Sequence, residues 1–240
     1  MRGILALLLV AGCHAKPPPP PPIVYAWDRP EQLAALPNDV DVAVYAATVS
    51  LRADDVVWRP RAHALTLSPR ARQIAVVHIE PAAPAERRPL DAALRAYLVA
   101  KMVAVAQAPG VGELQVDYEA PTSERELARG LIVDLRRALG PRARLSMTAL
   151  ASWCLFDDWV RELPVDDVVP MVYRMGRDRA VVRRWLDEGH DFRVAACRHS
   201  VAVSLADPPP RLPEGRRRFL FNPRSWSAAD LATALAWRTR

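Results

Sequence analysis

An α/β chain closed as a (β/α)8 barrel of the TIM type is the predicted architecture, on three grounds. Eight short apolar runs alternate with segments of helical spacing. Connections between them are short, which implies right-handed crossovers and a parallel sheet, and eight such units close on themselves. The competitor is a doubly wound open sheet. No glycine-rich phosphate loop follows the first run, where a nucleotide-binding version needs one.

Residues 1–12 read as a lipoprotein signal peptide. Arg2 precedes the apolar run Ile4 to Val10, which is too short to span a bilayer as a helix of about 20 residues. Val10-Ala11-Gly12-Cys13 has the form of a lipobox, so Cys13 is the expected lipidation site; an ordinary secretory signal with a chance cysteine is the alternative. By resemblance to Gram-negative lipoproteins, His14 after the cysteine favours the outer membrane facing the periplasm, within a bacterial cell envelope. Residues 13–22 form an acylated tether, because the run Pro17 to Pro22 holds an extended polyproline conformation.

Residues 23–240 form a single barrel domain, expected as a monomer. Strands are expected near residues 24–28, 41–49, 73–79, 113–118, 144–149, 167–173, 192–197 and 218–222. Helical periodicity covers Glu31 to Leu36, Leu90 to Ala108, Ser123 to Leu139, Phe156 to Leu163, Arg177 to Glu188 and Ser227 to Trp237. The stretch Ala92 to Ala108 carries Arg95 and Lys101 and reads as a core helix. Thr122 or Ser123 is placed to cap the third helix, with Glu126 three residues after Ser123, and Gly140-Pro141 stops it. The barrel is irregular around strands 2 and 3, where Val56-Val57-Trp58 and His63 to Leu67 suggest a hairpin. Pro170 lacks an amide donor and suggests a bulge in the sixth strand.

Lys and Arg total 33 against 27 Asp and Glu, a net charge of +6, but this does not indicate nucleic acid. Only Lys16 and Lys101 are lysines, and the arginines are scattered among acids instead of forming a phosphate-tracking stripe. Arg216-Arg217-Arg218 reads as a loop. His63, His78, His190 and His199 show no zinc spacing with cysteine, so no metal or other cofactor is expected. An exported chain permits a Cys154–Cys197 disulfide, but the expected positions after strands five and seven, which are not neighbours, weigh against it.

The chemistry concentrates in Leu114-Gln115-Val116-Asp117-Tyr118-Glu119-Ala120-Pro121. A strand alternates its faces, so Gln115, Asp117 and Glu119 share one side and Leu114, Val116 and Tyr118 the other. Two carboxylates about 6 to 7 Å apart along the backbone are thereby aimed into one site. A solvated face of a half-exposed strand is the plainer reading. In a barrel the carboxyl ends of the strands form the functional rim. Trp27, Asp28, His78, Glu80, Asp117, Glu119, Ser152, Trp153, Tyr173, Arg174, Arg198, His199, Asn222 and Trp226 all fall at expected strand ends.

Three separated motifs resemble family 18 glycoside hydrolases, the chitinase-like barrels. Asp117-Tyr118-Glu119-Ala120-Pro121 is similar to the end of that family's acidic motif on strand four. Met171-Val172-Tyr173 resembles its Met-x-Tyr-Asp element, and Trp226 resembles the tryptophan flooring its sugar site. Leu114 to Ser123 and Leu145 to Trp153 also look like an uncharacterised bacterial family, domain of unknown function 3142, over most of residues 24–240. The first resemblance implies that Glu119 protonates the leaving glycosidic oxygen and that Asp117 orients a substrate acetamido group. Tyr173 would hydrogen-bond the acetamido oxygen and Trp226 would stack on the sugar. Trp27, Glu80, Gln115, Trp153, Arg174 and Asn222 are further substrate-binding candidates. Two positions depart from the pattern: Gln115 replaces an acid, and Arg174 replaces the Asp of Met-x-Tyr-Asp, where it could pair with Asp117 or Glu119 and hold it ionised. The expected partner is a glycan or polysaccharide, with the membrane reached through Cys13. A membrane-tethered hydrolase of an amino-sugar glycan competes with a catalytically inactive barrel gripping glycan through Trp27, Trp153 and Trp226, and with an envelope scaffold.

Overall fold

The computed structural model describes residues 20–52, 54–84 and 90–236. The expected signal segment, Cys13 and the first half of the proline run lie outside them. In chain order the elements are β1 (Ile23–Ala26), β2 (Glu31–Leu33), β3 (Val42–Leu51), β4 (Val56–Pro60), β5 (Leu65–Leu67), β6 (Gln73–Glu80), α1 (Ala92–Ala106), β7 (Val111–Tyr118), α2 (Arg125–Leu139), β8 (Arg144–Leu150), α3 (Trp153–Phe156), β9 (Asp167–Met171), α4 (Arg179–Asp187), β10 (Ser200–Ser204), β11 (Arg217–Phe221) and α5 (Ala228–Ala236). Strands β1, β3, β6, β7, β8, β9, β10 and β11 are parallel, and β1 pairs with both β3 and β11. That double pairing closes the sheet into the expected (β/α)8 barrel.

Strict alternation divides each strand between two cores. Ile23, Tyr25, Ala43, Ile74, Val76, Val169, Met171, Ala202, Phe219 and Phe221 fill the barrel interior. Val24, Val77, Leu114, Val116, Tyr118, Leu145, Met147, Val201, Val203 and Leu220 pack outward with the helix residues Leu98, Met102, Leu131 and Leu135. Each such fully buried aliphatic side chain contributes about 1.5–3 kcal/mol. Outward apolar positions therefore fix the register of β7 and turn its polar set inward.

The irregularity around the second and third barrel strands is present, but its pairing differs from a hairpin between residues 56–58 and 63–67. β4 pairs antiparallel with β3, whereas β5 pairs parallel with β2. The first half of β3 pairs with β1, its register shifts between Tyr45 and Ala47, and its second half pairs with β4. Arg61 spans the junction: its guanidinium donates to the carbonyls of Ala26 at 2.9 Å, Trp27 at 2.6 Å and Arg29 at 2.6 Å. The expected helix over residues 31–36 is β2 instead. Glu31 is drawn inside, where it accepts from Arg29 Nε at 2.8 Å and from the Trp226 backbone N–H at 2.9 Å.

Four further expectations are corrected. The strand expected at residues 192–197 is irregular chain ending in a 3-10 turn, Ala195–Arg198, and the seventh barrel strand is β10. Arg198 and His199 therefore precede their strand at the end of the barrel opposite the rim. The helix expected over 156–163 is absent: α3 lies before it and overlaps only at Phe156, and beyond it Trp159, Val160 and Leu163 are buried by turns. Pro170 causes no register shift against β8; the weak side is its other flank, where β9 pairs with β10 only at Met171 and Ala202. Finally, Cys154 and Cys197 are bonded, with Cα atoms 6.0 Å apart. The misplaced strand was the reason for doubting the bond. Cys197 lies outside the barrel with Cys154, and the backbone N–H groups of Arg193 and Val194 both donate to the Cys154 carbonyl, at 2.9 and 3.2 Å.

Helix α2 ends as expected at Gly140, in the left-handed region at φ 76°. Its start differs: a 3-10 turn, Thr122–Glu124, leads in, and Glu124 at the N-cap makes no side-chain cap bond. The Glu124 carboxylate accepts instead from Tyr118 Oη at 2.6 Å.

Candidate active site at the carboxyl ends of the strands

Inward residues of the barrel are layered by chemistry. At the amino ends of the strands, Arg217 donates to Glu113 at 3.0 Å and Asp167 at 3.3 Å, Ser200 donates to Asp167, and Ser146 donates to Glu113 at 2.6 Å. One layer higher, Gln115 donates to Ser146 at 3.3 Å and accepts from Tyr25 Oη at 2.6 Å. Gln115 is wholly buried by these bonds and belongs to the barrel's interior, below the space a substrate reaches.

Above Tyr25 the interior opens into a cavity of about 480 Å³ lined by Tyr25, Trp27, His78, Asp117, Glu119, Thr148, Leu150, Met171, Tyr173, Arg174 and Phe221. That volume lies in the range of small-molecule sites. Every lining residue sits on an inward strand position or just past a strand's carboxyl end. One wall is aromatic: Tyr173 stacks on Phe221 with centroids 5.3 Å apart and planes at 5°, and Trp27 meets Tyr45 edge-on at 5.1 Å.

The opposite wall is acidic. Thr148 Oγ1 donates to Asp117 Oδ1 at 2.6 Å, and His78 Nδ1 lies 2.8 Å from Asp117 Oδ2. Burial lowers the His78 pKa, but the Asp117 hydrogen bond and charge outweigh it and raise it above the ordinary value. Glu119 is raised too, first by desolvation and then by the Asp117 charge, against opposing pulls from His78 and Arg174. Its carboxyl hydrogen-bonds to none of the described residues. Burial first, then the charges of Asp117 and Glu119, drive the Tyr173 phenol far above its usual value, so it stays a hydrogen-bond donor. Arg174 also faces the cavity, but among the described residues it forms no ion pair within 4.0 Å; the expected pairing with Asp117 or Glu119 does not occur. The site thus combines a carboxyl disposed to hold its proton, a fixed carboxylate, a protonated phenol and an unpaired guanidinium. No cluster of metal-ligating side chains is present among the described residues.

Trp27, Asp117, Glu119, Tyr173 and Arg174 are brought together here, and five other candidates are not. Trp226 is buried behind β1, where its Nε1 donates to the Tyr25 carbonyl at 2.7 Å, so it does not floor the cavity. Trp153 packs edge-on with Trp159 at 4.9 Å in the outer layer. Asn222 is buried at the end of β11, its carbonyl accepting from Arg29. Glu80 is at the rim but bonds Ser50 and, at 2.9 Å, Arg59. Gln115 is the fifth, sealed beneath the cavity. In the other direction, sequence reasoning put His78 on the rim without recognising it as the partner of Asp117, and missed Tyr25, Thr148 and Phe221. The same alternation that selected Asp117 was available for Thr148 on β8. Nothing local in the sequence marks a contact between His78 and Asp117, which depends on β6 and β7 pairing residue for residue at those two positions.

No family model matches the chain, and no curated protein sequence matches it. Solved structures do. A protein provisionally designated chitinase A from Streptomyces coelicolor superposes with a TM-score of 0.57 at 10% identity, over 91% of this chain and 98% of that one. A family GH18 chitinase from Chromobacterium violaceum gives 0.47 at 14% identity, over 92% and 72%. The chitinase domain of spore coat protein CotE from Clostridium difficile gives 0.42 at 13%, over 70% of this chain and 54% of that one. The latter two are too distant to carry argument, and identity this low speaks to architecture alone. In architecture, this chain is a (β/α)8 barrel similar to that of the Streptomyces coelicolor protein.

Proposed function

We propose that the protein is a glycoside hydrolase acting on an amino-sugar-containing polysaccharide, with Glu119 as the general acid. The observation that carries this reading is Glu119 itself: a carboxyl raised by desolvation and by Asp117, free of hydrogen bonds to described residues, in a cavity it shares with Tyr173. An acid catalyst must hold a proton near working pH and be able to reach the oxygen it protonates.

In this reading Glu119 gives its proton to the glycosidic oxygen as the bond to the anomeric carbon breaks. The substrate's acetamido oxygen closes on that carbon, with Tyr173 Oη donating to it and Asp117 orienting the amide. Water then opens the cyclic intermediate, and Glu119 takes a proton back from the water. The enzyme supplies no nucleophile, so the separation of two carboxylates that sorts retaining from inverting enzymes does not apply. The proposal includes attachment to the cell envelope through an acylated Cys13, and action as a monomer.

A catalytically inactive glycan binder has less support, because two of the three tryptophans it relies on, Trp153 and Trp226, lie away from the cavity. The test is Glu119→Gln assayed on N-acetylglucosamine oligomers and other amino-sugar glycans. Turnover is expected to fall by roughly 10²–10⁴-fold, with binding retained. Wild-type protein that turns over none of these glycans would overturn the proposal.

A further inference from the structure

We infer that the glycan carries a carboxylate on, or next to, the sugar at the scissile bond, and that Arg174 recognises it. This deepens the hydrolase reading and rests on it.

Four observations converge on Arg174. Its guanidinium lines the cavity beside Glu119 and Tyr173. Other arginines around this end of the barrel are committed: Arg29 to Glu31, Arg59 to Glu80, Arg61 to four carbonyls and Arg179 to Asp207. Arg174 has no ion-pair partner among the described residues. Lastly, it is the one non-glycine residue among them with positive φ, at 49°.

Left-handed backbone disfavours a side chain with a Cβ, so it persists only where surrounding structure imposes it. Arg174 stands directly after Tyr173, beside Asp207, whose carboxyl is held low first by the Arg179 hydrogen bonds, one at 2.7 Å.

The charge balance gives this placement a purpose. The charged or titratable groups lining the cavity are His78, Asp117, Glu119, Arg174 and the phenols of Tyr25 and Tyr173. In the hydrolase reading Glu119 carries its proton and is neutral, and His78 is already hydrogen-bonded to Asp117. Arg174 is then the cation left with no acidic partner among the described residues. A guanidinium matches a carboxylate in a planar, two-pronged geometry. A phosphate dianion would bring a second negative charge toward Asp117 and Glu119 with no second cation to meet it.

The experiment is calorimetric titration of Glu119→Gln, which binds without turnover, with two ligands. One is an oligomer containing N-acetylmuramic acid, whose lactyl ether bears a carboxylate; the other is the same oligomer with that carboxyl reduced to an alcohol. The acid form is expected to bind about tenfold or more tightly, the effect of one charge-assisted bond. Adding Arg174→Gly should bring the ratio near one, and Arg174→Lys should leave it intermediate. Glycine adopts positive φ freely, so that variant keeps its fold. Equal affinities in the parent, or a preference surviving Arg174→Gly, would overturn the inference and leave the hydrolase reading standing. Failure of both oligomers to bind would also overturn the inference, while the hydrolase reading falls only if the wild type turns over none of the wider set of amino-sugar glycans.

Discussion

Asp117 has both carboxylate oxygens engaged, one by Thr148 and one by His78, and after burial its charge is the main influence on Glu119 two residues on. The Asp117 charge raises the Glu119 pKa, and His78 opposes the rise. Replacing His78 by Gln removes the opposition, so Glu119 should hold its proton to higher pH. A general acid is active below its pKa, so the alkaline limb of the kcat/KM profile should move up in pH. A limb that stays put or moves down would show that His78 does not act on Glu119. Arg174 offers a second test at this scale, on stability. Relieving its left-handed backbone with Arg174→Gly should raise unfolding free energy by up to about 1 kcal/mol, read by urea denaturation. A loss of stability would mean that the side chain, not the turn, is what the fold requires.

The segment between β8 and β10 departs most from a regular βα repeat. α3 spans only Trp153–Phe156, β9 meets β10 at one residue pair, and the disulfide from Cys154 to Cys197 bridges the region over a sequence separation of 43. A loop of that size implies about 4 kcal/mol from chain entropy, within the usual 2–4 kcal/mol. The double variant Cys154→Ala/Cys197→Ala should therefore lose about 2–4 kcal/mol in urea denaturation, and an unchanged midpoint would contradict it. This is also where the sequence was hardest to interpret. Phe192 to Cys197 has the apolar content of a strand, but it sends Phe192, Val194 and Cys197 into the outer layer, while β10 carries Ser200, Ala202 and Ser204 on its inward face and so looks less apolar than it is buried. Elements whose inward and outward faces were both apolar or clearly alternating, such as β6 and β7, were legible to within two residues.

Viewed as a whole, the barrel is stratified from a charged base to an open cavity. Asp167, at the base, is raised to about 6 from an ordinary 3.8, mainly by burial, with Glu113 adding to the rise while Ser200, Arg217 and His199 pull it down. A carboxyl raised on folding contributes stability that is fully present below about 3.8 and lost as pH climbs through about 6. The stability of the wild type relative to Asp167→Asn should accordingly fall by about 2–3 kcal/mol between those limits. A difference that rises or stays flat in denaturation series across that range would place the Asp167 charge in a favourable setting instead. Much of this stratification follows from alternation along the strands, which is why Asp117 and Glu119 were legible as one face and Gln115 was not legible as a buried structural residue. Burial depth within a barrel depends on all eight strands together. Trp226 illustrates the same limit: it follows the last strand as a sugar-binding tryptophan would, yet the short β1 leaves a carbonyl that takes its indole N–H. As the proposed acid, Glu119 depends on the cavity raising its carboxyl above the ordinary value, first by burial and then by the Asp117 charge. Carbon-13 NMR titration of its carboxyl in the free protein tests this directly: a midpoint above the ordinary glutamate value is expected, and one at or below that value would contradict the account.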